Sequence, residues 1–337
     1  MGEIDIVIPW VDGQDMRWIN EKNEYLQKAG RLQKDCANDG RYRPNIDLKY
    51  WFRSIEKCMP WIRYIFFVTY GQIPEFLNVN HPKLRIVQHK DYIPEEYLPT
   101  FNSNTIEMNL FRITELSENF ILFNDDVLPL EYFNEEYFFK NGLACDEAVE
   151  RIFAPKMNEN LINSVTYCQL NNMAIINKHF DKRTVQKKFF KKWFNLKYGK
   201  DIWRNIFLAY YYDFDMFTNW HLANSMKKST FKKVWDIEPE LCDQASKNKF
   251  RNYSDISQYL VRAWQLCEGE FFPRKTKGKN YILSDENYKS IADDIKRKKY
   301  AMICLNDSPF IEKYEEVKRY IEEVLDSIFP EKCSFEK

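Results

Sequence analysis

The sequence predicts an α/β fold: a Rossmann-like, mostly parallel sheet with helices on both faces, completed by a mainly helical C-terminal half. Three observations carry this. Through residues 1–130, short apolar, β-branched runs alternate with amphipathic stretches, the pattern of parallel strands joined by covering helices. Two of those runs stop in carboxylates, at Asp12 and at Asp125-Asp126. Right-handed crossovers bring such strand ends to one edge of the sheet, where α/β proteins bind ligands.

Ile4 to Val11 reads as the first strand, running into Asp12-Gly13-Gln14-Asp15. Neither GxGxxG nor GxxxxGK[ST] follows, so the turn is neither a dinucleotide fingerprint nor a P-loop. Asp12-Gly13 has turn composition, and Asp15 suits the N-cap of the next helix. Asp15 to Leu32 reads as a charged surface helix and Lys34 to Pro44 as a loop. Leu48 to Cys58 reads as a helix burying Trp51, Phe52 and Ile55, with Pro60 ending the region. Ile62 to Thr69, closed by Gly71, is the second strand, and Leu84 to Val87 the third. After a Pro-bounded loop, Asn102-Ser103-Asn104 has the polarity of a helix start. Thr105 to Ser117 places Ile106, Leu110, Ile113 and Leu116 at helical spacing, with Asn109 and Arg112 on other faces. Phe120 to Phe123 is a buried strand delivering Asn124, Asp125 and Asp126 to the sheet edge.

Residues 131–175 mix aromatics with charges; within the next stretch Met173 to Ile176 reads as a further strand. From Lys178 to Arg204, ten basic residues face only Asp181 and Asp201, with Phe189, Phe190, Trp193 and Phe194 interleaved. The spacing suggests an amphipathic helix. The plain reading is a solvated basic face over an aromatic core face; the alternative is a peripheral landing surface for anionic lipid headgroups or a charged glycan. Asn205 to Tyr212 reads as a buried aromatic stretch. His221 is an isolated histidine, more often structural than catalytic, but Lys227-Lys228 follows it closely. Asp255 stands near the start of a helix over Ile256 to Cys267. Ala301 to Leu305 is a last strand ending at Asn306-Asp307, and Phe310 to Ile328 an amphipathic closing helix.

The chain has 337 residues, 45% of them hydrophobic, enough for one large core; we expect a single catalytic domain over residues 1–330. Fifty basic and fifty acidic residues give a net charge of +0, which does not point to nucleic acid and requires any anion site to be local. The eight cysteines are scattered without CxxC or a nearby histidine, so free thiols in a reducing compartment are expected. No signal peptide and no membrane span is legible, so a cytoplasmic protein is expected, with a peripheral place at the inner face of the plasma membrane as the extension of the basic stretch.

Four blocks carry a family resemblance: IDIVIPWVDGQD; KYWFRSIEKCMPWIRYIFFVTYGQIP continuing through LPTFNSNTIEMNLFRI to FILFNDDV; Trp220-His221 with the later KFRNYSD; and ICLND. Together they resemble the Stealth family of hexose-1-phosphate transferases. That family includes bacterial capsular polysaccharide phosphotransferases and the catalytic subunit of the animal N-acetylglucosamine-1-phosphotransferase. The resemblance implies a glycosyltransferase-A-like fold, with residues 1–130 as the nucleotide-sugar-binding half and 131–330 completing the active site. It implies attack by an acceptor hydroxyl on the β-phosphorus of a nucleotide-sugar, such as a UDP-N-acetylhexosamine, with a nucleoside monophosphate leaving. The acceptor would be a growing polysaccharide or lipid-linked glycan.

That chemistry builds charge on phosphoryl oxygens, which a divalent cation and an arginine can stabilise. Magnesium (or manganese) would use Asp125 and Asp126, with Asp307 as a further candidate. His221 suits the general base near neutral pH, with Asp126 as rival. Arg251 can grip phosphate bidentately. Asp12 and Gly13 meet the nucleotide at the first strand's end, and Asn102, Asn104, Arg112 and Asn306 are candidate donors to diphosphate or sugar hydroxyls. Two alternatives stay open at this level. One is a conventional metal-dependent glycosyltransferase that releases a nucleoside diphosphate. The other is an inactive glycan-binding protein.

Overall fold

The computed structural model describes residues 2–28, 46–154, 164–307 and 311–337. The expected loop from Lys34 to Pro44 lies outside them. In chain order, the elements that position the site are β1 (Ile4–Trp10), α1 (Met16–Lys28), α2 (Lys49–Cys58), β2 (Ile65–Thr69), β3 (Leu84–Gln88), α3 (Ser103–Met108), β4 (Asn119–Leu122) and β5 (Val127–Pro129). They continue with α4 (Ser164–His179), α5 (Ile202–Leu208), β6 (Asn224–Lys227), α6 (Lys228–Ile237), α7 (Gln258–Glu268), β7 (Gly278–Leu283), β8 (Met302–Asp307) and α8 (Tyr314–Ile328).

The main sheet runs β6-β4-β1-β2-β3. The pairs β1–β2, β2–β3 and β1–β4 are parallel, and only the edge strand β6 is antiparallel. The chain steps outward from β1 to β2 to β3, then returns to place β4 on the other side of β1. The order therefore reverses between β1 and β4, and at such a switch point the loops leaving the two strands part and open a crevice. Asp12 leaves β1 there, and Asn124-Asp125-Asp126 leaves β4. The mostly parallel α/β sheet expected from sequence is what the chain forms.

Alternation along the strands divides the core into two layers. Ile6 and Ile8 pack on one face with Trp51, Phe67, Ile121 and Phe123, and with Leu305 and Ile321 from the far end of the chain. Val7 points the other way, toward Phe66, Phe120, Met226, Leu260 and Trp264. A second sheet begins where the first ends. Directly after Asp126, β5 pairs antiparallel with β8, which pairs parallel with β7. The Leu305 amide donates to the Asp126 carbonyl at 2.9 Å, so the junction of the two sheets lies at the paired carboxylates.

Four local expectations are corrected. The helix expected over Thr105 to Ser117 is α3, starting at Ser103 and followed by a 3-10 turn at Leu110–Arg112. Asn109 ends it: its side-chain amide donates back to the Thr105 carbonyl at 2.9 Å, and Lys228 then takes the carbonyls of Ile113, Thr114 and Leu116. Met173 to Ile176 is not a strand but part of α4, since a short apolar run has no period of its own to tell strand from helix. The basic stretch is not one helix. It breaks at Phe189 and again at Gly199, whose φ of 59° is left-handed. Asn205 to Tyr212 is not a buried run: Asn205 and Leu208 are buried, but Ile206, Phe207, Tyr210, Tyr211 and Tyr212 are exposed.

Candidate active site

The β1 turn is built first. Asp15 caps α1, its Oδ1 accepting from the Arg17 amide at 2.9 Å, and the Asp12 Oδ1 accepts from the Gln14 amide at 2.9 Å. Gln72, just beyond β2, locks both acids in place. Its Oε1 accepts from the Asp12 amide at 2.8 Å, and its Nε2 donates to the Asp12 carbonyl at 2.9 Å and to Asp15 Oδ2 at 3.1 Å. Gln72, Tyr70, Gly71, Gln88 and Asp15 line a cleft of about 340 Å³ at the carboxyl ends of β1 to β3. A larger cavity, about 580 Å³ and lined by His179, Lys188, Lys227 and Glu270 among others, contains none of the candidate site residues.

Across the switch point, Asp126 is buried and Asp125 is exposed. Asp126 Oδ2 accepts a hydrogen bond from the Cys304 thiol of β8 at 3.2 Å, whereas Oδ1 is buried without a partner. Burial, and then the charge of Asp126, hold the Cys304 pKa well above its ordinary value, so the thiol keeps its proton and donates. Asp125 reaches solvent but is crowded by protein. That crowding, followed by the charge of Asp126, pushes its pKa up to about 7. Two adjacent carboxylates that resist joint ionisation, one with an orphaned buried oxygen, have the chemistry of a divalent cation site.

His221 reaches this pair from the other half of the chain. Its Nε2 lies 4.0 Å from Asp126 Oδ2 and 3.3 Å from Asn124 Nδ2, and its Nδ1 lies 3.3 Å from the Tyr259 hydroxyl. Ligand atoms of Asp126, His221 and Cys304 all fall within 4.8 Å of one another. A protonated thiol is a poor ligand, however, and the hard oxygens of Asp125 and Asp126 suit magnesium or manganese better. The His221 backbone is held at a φ of 51°, an uncommon state for a residue with a side chain. Asn219 maintains it by accepting from the His221 amide at 2.8 Å. Behind the loop, Arg262 of α7 grips Asp146 with two bonds of 2.7 and 2.8 Å and donates to the Thr218 and Glu147 carbonyls; Glu147 in turn accepts from the Trp220 indole at 2.8 Å.

Arg251 enters on the loop before α7 and donates to the Ser103 hydroxyl at 2.9 Å, at the start of α3. One turn along α3 is Glu107, whose carboxyl is pushed up to about 7 by burial, the nearby Arg251 charge opposing that rise. Glu107 also acts electrostatically on Tyr259, the partner of His221, whose hydroxyl burial keeps protonated. A file of groups thus runs from Asp125 and Asp126 through His221 and Tyr259 to Glu107 and Arg251.

The other expected contacts have partners inside the protein. Asn102 is fully buried and caps α3 through Oδ1, while its amide and that of Asn104 both donate to Asp255 Oδ2, at 3.0 and 3.1 Å. They hold the Arg251 loop against α3. Arg112 donates to Asn109 Oδ1 at 2.9 Å and lies over the rings of Phe111 and Trp235. Asn306 sits beside Cys304 on β8 and bonds Asn280 at 3.3 Å. Gly13 lies in the β1 turn, and Asp307 ends β8 with its side chain outside the described residues. Sequence reasoning missed Glu107, Tyr259 and Cys304. Only Glu107 had a readable signal: an acid four residues after Ser103, between the apolar Ile106 and Met108.

The fold and the site together define an α/β enzyme with a paired-carboxylate centre at its sheet switch point. Three Stealth conserved regions match this chain: region 1 over residues 2–30, region 2 over 41–146 and region 4 over 293–337. A capsular polysaccharide phosphotransferase WcwK of Streptococcus pneumoniae is 43% identical, with 100% of this chain and 99% of that protein covered. The exopolysaccharide phosphotransferase cps2G of Lactiplantibacillus plantarum is 34% identical over 99% and 96%. The receptor polysaccharide phosphotransferase WefC of Streptococcus gordonii is 31% identical over 99% of each chain. The chain belongs to the Stealth family, and it is an enzyme, a transferase of the phosphotransferase type. Among solved structures it is similar to the galactosyltransferase LgtC bound to donor and acceptor sugar analogs, at TM-score 0.37 and 10% identity over 95% of each chain. Mouse xyloside xylosyltransferase 1 gives 0.38 and 8%, over 90% of this chain and 98% of that one. Likenesses that loose carry no argument; the α/β assignment stands on the strand order.

Among the described residues no helix is long and apolar enough to cross a membrane. Seven of the eight cysteines are free and buried, and Cys36 lies outside the described residues.

Proposed function

We propose that this enzyme transfers a sugar-1-phosphate from a nucleotide-sugar, of the UDP-N-acetylhexosamine type, to a sugar hydroxyl on a growing polysaccharide or lipid-linked glycan. A phosphodiester forms at the β-phosphorus and a nucleoside monophosphate leaves. The observation that carries the reading is the meeting of His221 with Asp125-Asp126 at the β1–β4 switch point, where a nucleotide-sugar's diphosphate would lie. Similarity to phosphotransferases of capsule and exopolysaccharide synthesis supports the substrate class.

The roles follow from position. Asp125 and Asp126 would hold magnesium or manganese, with Asp307 and Asn306 on the neighbouring strand; the ion would neutralise charge on the diphosphate. Arg251, whose side chain among the described residues is hydrogen-bonded to Ser103, would meet the phosphate. His221 takes the acceptor proton at Nε2. Asn124 donates toward that atom, which fits a lone pair there, and Nδ1–H then points at the Tyr259 oxygen. Asp126, 4.0 Å away, stabilises the imidazolium as it forms. Asp12, Gly13 and the cleft beside Gln72 receive the nucleotide. Asn102 and Asn104 serve as positioning residues for the Arg251 loop, and Arg112 supports α3 from outside the cluster. A charged nucleotide-sugar does not cross membranes, so the reaction belongs in the cytoplasm, consistent with free thiols.

The test is the nucleotide released. With UDP-sugar, a soluble acceptor and magnesium, UMP should appear in step with a phosphodiester seen by phosphorus NMR. His221→Ala should lower the rate about 10²- to 10⁴-fold, the usual weight of a general base. UDP as the only acceptor-dependent product would overturn the reading in favour of ordinary glycosyl transfer.

A further inference from the structure

From the exposed face of α5 and the turns around it, we propose a docking surface for an anionic lipid bilayer, with Trp203, Ile206, Phe207 and Tyr210 as the inserted residues. Trp203, Ile206 and Phe207 stand at i, i+3 and i+4 of α5, one stripe of the helix, and Tyr210 follows in the turn after it; all four are exposed, Phe207 at 72% and Tyr210 at 82%. A helix of a soluble protein normally turns such a stripe inward. Here the inward face is already taken. Asn205 donates to the Ala148 and Trp193 carbonyls and accepts from the Glu150 amide, and Leu208 is buried beside it. The apolar stripe is therefore held outward by a rigid anchor rather than left loose.

Charge around the stripe selects the occupant. Residues 178–215 contain ten Lys or Arg against four acids, Asp181, Asp201, Asp213 and Asp215. Among the described residues Lys187, Lys188, Lys191 and Lys200 have no carboxylate within ion-pair distance, although all four are exposed. Arg183 reaches the stripe directly, donating to the Tyr210 carbonyl and lying over the Tyr212 ring. Exposed aromatic rings in a basic stretch match the interfacial zone of an anionic membrane, where Trp and Tyr settle at headgroup depth and each basic residue near the surface adds about 1 kcal/mol. The self-repelling cations argue against a second copy of this chain. The surface also connects to the site through the backbone. Glu150–Arg151, which Asn205 holds, pairs with Met216–Phe217, and the chain reaches His221 four residues later. Docking there would bring the His221 loop beside an acceptor that is itself anchored in lipid. This goes beyond the reaction proposed above and does not depend on which nucleotide leaves.

Flotation of the full chain with phosphatidylcholine vesicles, with and without phosphatidylglycerol, tests it. We expect binding only to the anionic vesicles, weakening as salt rises. The pair Phe207→Ser, Tyr210→Ser should weaken binding about tenfold or more, since affinity scales with inserted apolar area. Lys191→Gln with Lys200→Gln should weaken it while flattening the salt dependence. Both variants should keep the wild-type melting temperature and the wild-type rate on a soluble acceptor, which separates loss of docking from loss of catalysis. Equal binding to neutral vesicles, no binding to either, or wild-type binding by the serine pair would overturn the proposal. So would a concentration-dependent dimer in light scattering that the serine pair abolishes, because the stripe would then be a protein interface.

Discussion

Asp125, a ligand in the proposed metal site, stands where its own ionisation is opposed. Its pKa is raised from the ordinary carboxylate range to about 7 by the protein crowded around it and by the charge of Asp126. The folded protein therefore binds a proton that the unfolded chain has released between about pH 4 and 7, and the metal-free protein loses stability as pH rises through that window. Above pH 7 the penalty is fully present. Asp125→Asn should raise the melting temperature of the metal-free protein at pH 8 and do little at pH 4, while lowering activity. Magnesium should stabilise the wild type at pH 8 and the variant much less. Equal magnesium stabilisation of both would place the ion elsewhere. Glu107 gives a parallel case. Its carboxyl is also raised to about 7, mainly by burial, and Arg251 is the nearby cation. Glu107→Gln removes a costly charge, so the fold should be no less stable in urea at pH 8. If Glu107 handles or orients the acceptor, kcat/KM should fall at least about 10²-fold. A fall of less than threefold would leave Glu107 as a passive neighbour.

The strands that carry Asp12 and Asp125 were legible because a run of buried strand residues has to end, and both runs ended in charge. The helices were less legible wherever a side chain, not the backbone period, set the boundary. Asn109 stopped α3, and Gly199 broke the basic stretch. The outward stripe on α5 was misread for a related reason: hydrophobicity names a face but not the side it turns to, and Asn205 decided that through bonds to Ala148, Trp193 and Glu150. From the residues alone the His221 loop was legible as a lone histidine, and the family resemblance of Trp220-His221 gave it its expected role. What positions it is the contact between α7 and residues 146–147, more than a hundred positions away from the arginine. Arg262 and Asp146 are both buried and doubly bonded. Removing one partner of such a pair typically costs about 3–5 kcal/mol, whereas replacing both with apolar residues is often nearly neutral. Arg262→Met should thus destabilise in urea by that amount, and Arg262→Met with Asp146→Leu should recover most of it. Activity should stay low in both, because neither variant can hold the Thr218 and Glu147 carbonyls that set His221. Recovery of activity together with stability would show that the clamp serves the fold alone.

At the scale of the whole molecule, the two halves of the chain are not separate bodies in the core. Ile6 and Phe67 share a layer with Leu305, Ile321 and Phe335, and Val7 shares the other with Leu260 and Trp264. The division into a nucleotide half and a completing half therefore describes roles proposed for the site, not a boundary in the packing. The C-terminal segment shows how firmly the ends are tied. The Phe335 carbonyl accepts from Asn78, the Lys337 amide donates to Phe76, and Glu336 takes two bonds from Arg53 of α2, at 2.7 and 2.9 Å. Arg53 also donates to the Phe329 carbonyl at the end of α8. Sequence alone could not show this, since nothing in EKCSFEK names a partner near residue 53. The carboxyl of Glu336 feels burial, which would raise its pKa, but the Arg53 bonds and the Cys333 amide outweigh it and the net shift is downward. A depressed carboxylate contributes stability that is present above its unfolded value of about 4.3 and is lost as pH falls through the folded value. The side chains are only 9% and 4% exposed, so the pair belongs with buried ion pairs. Glu336→Gln should be destabilising at pH 7 by urea unfolding, by less than the ~3–5 kcal/mol of a fully stranded buried charge, because Asp326 at 3.5 Å still faces Arg53. The gap to the wild type should narrow steadily below about pH 4, where the wild type loses the same charge. A gap that stays constant down to pH 3 would mean that packing of the C-terminal segment, not the charge of Glu336, holds it to α2.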